Sequence, residues 1–207
     1  MRFYDIGANA GLYTESNLVL NPKSEFILVE ANPTLCSKLV EKFKDNLNVK
    51  VINSCVSDTS GKMLEFFLGD VDTVSTVSKD WVLNSRFSNM DYKRSIFVES
   101  ISIEDLIKTH GESDRMKIDV EGYEKTVILG ISKHIGDLSF EWAEESKTDI
   151  LDSVSHLFSI GYTEFCVSER DNYTFMPTDY VSYEDIKLSL SSLDASRKTR
   201  WGMIFAK

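Results

Sequence analysis

The chain has 207 residues, 42% hydrophobic and 27% charged, enough for one good core and too few for two comfortable domains. Asp and Glu number 33 against 23 Lys and Arg, a formal charge of -10, and such a surface repels phosphate backbones and anionic lipid, so neither nucleic acid nor a membrane is an expected partner without a local basic patch. No apolar run approaches the roughly 18 residues of a membrane span, and Cys36, Cys55 and Cys166 form no C-x-x-C pair; buried free thiols in a soluble cytoplasmic protein are expected, not a zinc site or a disulfide framework.

Phe3, Tyr4 and Ile6 predict a short buried strand, Gly7 to Gly11 a tight turn, and Leu12 to Leu20 the start of a helix. The strand starts at residue 2 or 3, leaving no room for the leading helix that doubly wound enzymes often carry. Either the fold is minimal or the chain is one domain of a longer polypeptide; the second is preferred. A strand, a glycine turn and a helix N-terminus together cradle a small molecule, because glycines admit close backbone approach and the first helical N–H groups point outward unpaired. Asp5, Gly7, Ala8, Asn9, Gly11, Tyr13 and Thr14 are the cradle residues. Glu30 and Ala31, after the next strand from Glu25, stand at the separation where a doubly wound fold sets a carboxylate on a ribose hydroxyl. Taken alone, Gly7 and Gly11 also read as ordinary turn and packing glycines.

Charge separates the two cofactor types that use this geometry. A dinucleotide brings a pyrophosphate, favours G-x-G-x-x-G and disfavours nearby carboxylates, whereas position 9 here is Asn and Asp5 precedes the first glycine. S-adenosylmethionine brings an ammonium and a sulfonium and no phosphate. It suits strand ends carrying Asp5, Glu30, Asp58, Asp119 and Glu121, and it is the expected cofactor.

Asn32-Pro33-Thr34 restarts the chain into a helix to about Lys44, with Leu35, Leu39, Val40 and Phe43 at helical spacing. Val49 to Val56 reads as a third strand ending at Ser57-Asp58, beside an adenine ring. Asp58 either accepts from the adenine amino group or opens the Asp-Thr-Ser-Gly turn through its own backbone, and one role does not exclude the other. Met63 to Leu68 and Phe97 to Ile103 read as two more strands, extending the sheet edge or forming an accessory hairpin. Between them, residues 71–95 are polar with isolated aromatics and cations. This stretch reads as a lid that would grip a sugar or similar polyol, with Trp81, Arg86 and Tyr92, together with Glu144, as substrate contacts; the alternative is a solvated connection whose aromatics plug the core edge.

Ile103 to Lys108 is a short helix. Met116 to Ile118 is a buried strand that passes into a helix with Val127, Ile128 and Ile131 facing inward, so Asp119 and Glu121 fall at the junction, on the same edge as Gly7 if the strands are parallel. The next strand, from Leu138, brings Glu141, Glu144 and Glu145 to that edge. Residues 150–160 form an amphipathic helix, Thr163 to Val167 begin a strand, Val181 to Leu193 are helical by pattern, and Trp201 to Ala206 form a last strand able to pair antiparallel. His110, His134 and His156 are isolated in polar or helical context and read as surface residues.

Three motifs in order, Asp5-Ile-Gly-Ala-Asn-Ala-Gly-Leu-Tyr-Thr, Val29-Glu-Ala-Asn-Pro and Lys117-Ile-Asp-Val-Glu-Gly-Tyr-Glu, resemble the FkbM-type S-adenosylmethionine-dependent methyltransferases from roughly Phe3 to Glu145. The resemblance implies one class I methyltransferase domain over 1–207: an α/β, doubly wound, Rossmann-like sheet of seven mostly parallel strands with the last reversed, here with a small accessory hairpin. It also implies methyl transfer to a hydroxyl of a sugar or a polyketide, with rhamnose- or fucose-like deoxyhexoses favoured. The aromatic-rich insertion and Glu141-Trp-Ala-Glu-Glu match no pattern of that family and leave the acceptor open.

Such a transfer needs alignment and removal of one proton. Glu121 and Asp119 are the expected polarisers of the acceptor hydroxyl, with Lys117 or Glu141 holding them. Lys117 also reads as a strand residue balancing acidic neighbours, and Glu121 as a helix N-terminal acid. Asp119, Glu121 and Glu141 would alternatively hold a divalent cation through oxygen ligands, a less favoured reading. A nicotinamide oxidoreductase and a cofactor-binding module without turnover are the competing classes.

Overall fold

The computed structural model describes residues 1–170, 173–174 and 177–207. In chain order its elements are β1 (Arg2–Ile6), α1 (Leu12–Leu20), β2 (Glu25–Glu30), α2 (Pro33–Phe43), β3 (Val49–Asn53), β4 (Cys55–Ser57), β5 (Met63–Leu68), α3 (Lys79–Asn84), β6 (Arg94–Ser102), α4 (Ile103–His110), β7 (Arg115–Ile118), α5 (Glu124–Leu129), β8 (Asp137–Ala143), α6 (Lys147–Ser159), β9 (Glu164–Glu169), β10 (Val181–Ser182), α7 (Tyr183–Ser191) and β11 (Trp201–Ala206).

Phe3, Tyr4 and Ile6 are fully buried, the pattern of a strand covered on both faces of a parallel sheet. Alternation decides which layer each residue joins. Phe3, Phe26 and Leu28 meet Leu39 and Phe43 of α2 on one face, and Phe3 stacks on Phe26 at 4.7 Å between centroids. Tyr4, Ile6, Ile27 and Val29 face the larger core, built with Leu106 of α4, Val127 and Ile128 of α5, Val154 and Leu157 of α6 and Ile186 of α7. Local capping signals start α2, α4 and α7. Asn32 accepts from the Thr34 N–H with Pro33 in the first turn, and Ser102 and Ser182 cap α4 and α7 through Asp105 and Asp185.

The strand order is β10-β9-β11-β8-β7-β1-β2-β3. From β3 to β8 the pairings are parallel, and β11 runs antiparallel between β8 and β9. The doubly wound sheet with its reversed last strand is therefore present, extended at one edge by the two-residue β10, which pairs antiparallel with β9. The expected third strand is two strands. It turns at Ser54, whose N–H bonds the Glu30 carbonyl while its hydroxyl bonds that of Glu99; β3 stays in the main sheet, and β4 joins β6 in parallel and, through it, β5. The accessory hairpin is thus a three-stranded sheet, order β4-β6-β5. Val181 and Ser182, assigned to a helix by pattern, are the edge strand, and the helix starts at Tyr183.

Gly11 is a packing glycine. Its φ is +75°, and a Cβ there would lie 2.8 Å from Leu39 Cδ2 and 2.9 Å from Phe43 Cε2. Gly11→Ala is expected to destabilise the chain by roughly 1–3 kcal/mol through overpacking, read as a lower urea midpoint.

Candidate active site

The carboxyl ends of the parallel strands share one edge, where a doubly wound sheet binds its ligands. A cavity of about 520 Å³ opens there, lined from the β1 turn by Gly7, Ala8, Asn9 and Tyr13, from the end of β2 by Glu30 and Ala31, and from the β7–α5 turn by Asp119, Glu121 and Tyr123. Gly7 makes the junction possible: its φ is +73°, and a Cβ would sit 1.8 Å from the Asp119 carbonyl oxygen. Two motifs far apart in sequence thereby touch backbone to backbone.

Glu30 is buried, and both its oxygens are used: Asn9 N–H donates to Oε2 at 2.8 Å and Asn32 N–H to Oε1 at 2.7 Å. Each carboxylate oxygen keeps a further acceptor site, so two ribose hydroxyls have a place to donate. Burial raises its pKa against the lowering effect of those two N–H bonds. Lys117 is buried behind the turn, with Nζ 3.1 Å from Asp119 Oδ2 and 3.7 Å from Asp5 Oδ1. Burial alone would weaken its hold on the proton, but Asp119 and Asp5 outweigh burial and hold the ammonium above its usual range.

The far wall is acidic. Glu141 of β8 is buried and accepts from Arg86 Nη2 at 3.1 Å; Arg86 also lies 3.4 Å from Glu145. The guanidinium sits 5.2, 4.8 and 5.4 Å from the ring centroids of Trp81, Phe87 and Trp201. Glu121 has φ +54°, and its Oε2 is buried with no hydrogen-bond partner. Burial, then the charges of Asp119 and Glu124, push its pKa well up; Glu141 is raised by burial, then by Glu121 and Asp119. Burial also lifts Glu124 to about 7 against the N–H bonds of its own turn.

These shifts fix a pH dependence of stability. Folded Glu121, Glu141 and Glu124 keep protons that the unfolded chain has released, so stability falls as pH rises from the ordinary carboxylate range through the raised values. His110, lowered by burial and by Lys50, opposes this as one partly exposed group. The melting temperature of the ligand-free protein is expected to fall between about pH 5 and about pH 8; a rise over that range would show that the carboxylates ionise freely.

Among the described residues, Asp119, Glu124 and Glu141 each offer an oxygen within 4.8 Å of the others, a set a divalent cation could use. These carboxylates are already engaged by Lys117, by two backbone N–H groups and by Arg86. A cation would have to displace them.

Not every expected site residue reaches the cavity wall. Asp5 and Thr14 bond each other at 2.7 Å in the interior, bracing α1 and Lys117. Ser57 and Asp58 lie beyond the Ser54 turn, where Ser57 bonds Asp58 and Asp58 pairs with Lys62; Cys55 and Val56 line the cavity in their place. Trp81 packs flat on Gly122, whose Cβ would fall 2.5 Å from its ring, so it braces the Glu121 turn from behind. Tyr92 lies against Gly69 and outside the lining, and Glu144 turns away to accept from Thr199 and Arg200. Arg86 is in the wall, as are Asp72, Thr73, Ser75, Val77 and Phe87, so part of 71–95 closes the cavity. The sequence reading missed Phe66, Trp201 and Tyr123. Glu124 was visible inside the third motif without a role. His110, His134 and His156 stay apart, His134 stacked on Tyr162 and His156 bonded to the Ile131 carbonyl. The three cysteines are buried and free.

A site of this build belongs to the Rossmann-like class of methyltransferases. Residues 5–162 match the Methyltransferase FkbM domain. The chain belongs to that family and carries its S-adenosylmethionine-dependent methyltransferase domain. It is 30% identical over 115 residues to the tRNA (guanine-N(7)-)-methyltransferase of Mycoplasma mobile (strain ATCC 43663 / 163K / NCTC 11711), covering 54% of this chain and 56% of that protein. It is 31% identical over 78 residues to the protein of the same name from Mycoplasmopsis synoviae (strain 53), covering 37% of each. The chain thus spans about half the length, or less, of the curated relatives it matches. A precorrin-6y C5,15-methyltransferase from Geobacter metallireducens GS-15 superposes with a TM-score of 0.50 at 12% identity, covering 100% of this chain and 78% of that one, a likeness of fold. No helix among the described residues is long and apolar enough to cross a membrane.

Proposed function

We propose that this chain methylates a hydroxyl oxygen of an uncharged sugar, a deoxyhexose at a glycan end being favoured, with Glu121 as the base. The observation that carries the reading is Glu121, a residue of the cavity wall whose Oε2 finds no partner in the protein. A carboxylate oxygen in that position lacks a donor, and an acceptor hydroxyl supplies one. The donor provides an electrophilic methyl on a sulfonium: the new O–C bond forms as the S–C bond breaks, and the hydroxyl proton passes to Glu121. Glu30 orients the ribose, Gly7 lets the β1 turn close on Asp119, and the Lys117–Asp119 pair stiffens that junction. Glu141, held by Arg86, receives a second hydroxyl of the acceptor. Phe87 and Trp201 offer faces for the apolar side of a deoxysugar.

Relatives named as tRNA methyltransferases make RNA the competing acceptor, and charge counts against it. The lining carries Glu30, Asp72, Asp119, Glu121 and Glu141 against Arg86 and Lys117, and both cations are already paired with acids. A phosphate chain at this mouth would find no unpaired cation among the described lining residues. The test is transfer of labelled methyl from S-adenosylmethionine to a panel of methyl glycosides, rhamnoside and fucoside first, beside a polyketide alcohol and unmodified tRNA. Label on a glycoside bears the reading out. Label on the polyketide or on tRNA alone replaces its acceptor, and bound donor with no product anywhere makes the chain a binding module.

A further inference from the structure

We infer that Glu124 is the positioning residue of the acceptor side: it holds the turn from Asp119 to Tyr123 in the shape that presents Glu121 to the cavity. Its Oε1 accepts from the Val120 N–H at 2.8 Å and its Oε2 from the Gly122 N–H at 3.0 Å, the two amides that bracket Glu121. The turn needs a clamp because it is unfavourable by itself. Glu121 has φ +54° and Gly122 φ +82°, and the left-handed region costs a residue with a Cβ. The other ties lie elsewhere on the segment. Asp119 N–H bonds the Ile6 carbonyl at 3.1 Å, the Glu121 carbonyl accepts from Thr76 Oγ1 at 2.7 Å, and Trp81 covers Gly122. The N–H groups on either side of Glu121 would otherwise be left without acceptors, as happens ahead of any helix, and α5 begins at Glu124 itself. Glu124 does not line the main cavity, so it acts through Glu121 and touches neither donor nor acceptor.

The functional weight of this inference rests on Glu121 being the base, and the geometry can be tested apart from turnover. Glu124→Ala removes both bonds; Glu124→Gln keeps an amide oxygen for one of them. Both remove the same charge and leave Asp119, Glu141, Arg86 and Lys117 in place, so charge alone predicts equal effects. The measurement is the titration of the Glu121 side-chain carbon by NMR, its resonance assigned by comparison with Glu121→Gln. Positioning predicts a Glu121 midpoint in the Ala variant lower than in the Gln variant by roughly one pH unit or more, with S-adenosylmethionine affinity in both within about threefold of the parent. Equal midpoints in the two variants overturn the inference. Should the Ala variant not fold, amide exchange in the Gln variant decides: one of Val120 and Gly122 exchanging about tenfold faster supports the clamp, and unchanged exchange at both refutes it. Full turnover by Glu121→Gln would sink the base assignment and leave this test standing.

Discussion

Glu121→Gln is expected to lower kcat for methyl transfer by ~10²–10⁴-fold, the range a positioned general base supplies, with little change in the affinity for S-adenosylmethionine. The amide is nearly the shape of the carboxyl and can still accept a hydrogen bond, so the acceptor continues to bind; it cannot take the proton. Glu30 and the Gly7 turn, the proposed seat of the donor, are untouched. The same residue sets a pH signature. Burial and the charges of Asp119 and Glu124 hold Glu121 protonated to higher pH than a free carboxyl, so in the parent enzyme kcat rises with pH through that raised value and then levels. The Gln variant should lose this limb. Glu141 is the less apt base because Arg86 already occupies one of its oxygens. If the Gln variant kept both its rate and the acid limb, the proton would be leaving by another route.

Glu30→Ala is expected to weaken S-adenosylmethionine binding about 100-fold or more, the equivalent of roughly 2.8 kcal/mol. Two losses add: the acceptor sites for the ribose, and the carboxylate that ties Asn9 N–H and Asn32 N–H into the cradle. Donor at about 100 times its dissociation constant should raise the parent's melting temperature by roughly 5–10 °C. In the variant that rise should vanish at the same concentration while circular dichroism stays native. Glu30→Gln, which keeps one acceptor oxygen, should fall between the two. An unchanged melting shift in the Ala variant would place the ribose elsewhere.

The glycine turn and the strand-end acids that line this cavity were legible in the sequence. Gly7, Ala8, Asn9 and Glu30 reach the cavity because a turn's shape follows from its own φ and ψ preferences, and Asp119 and Glu121 follow a strand end that burial of Met116 and Ile118 fixes. The rest of the wall was not. Ser57 and Asp58 were set beside the adenine on the assumption of one continuous strand. Whether β3 continues or breaks at Ser54 depends on the carbonyls of Glu30 and Glu99, which come from other strands. Trp81 and Tyr92 carry the right chemistry for a sugar, yet Trp81 faces the protein because Gly122, with no Cβ, leaves its ring a flat seat.

By itself the sequence pointed to most of the buried strands and helices, the glycine turn and a cationic ligand, since periodicity, turn glycines and the signs of strand-end side chains are local properties. Only the tertiary structure decided that Arg86 is shared by Glu141, Glu145 and three aromatic rings, that Trp201 from the last strand closes the cavity, and that Glu124 clamps the turn beneath Glu121. Those are questions of which partner a side chain finds. The competing partners lie far along the chain, and nothing short of the packed sheet brings them within reach.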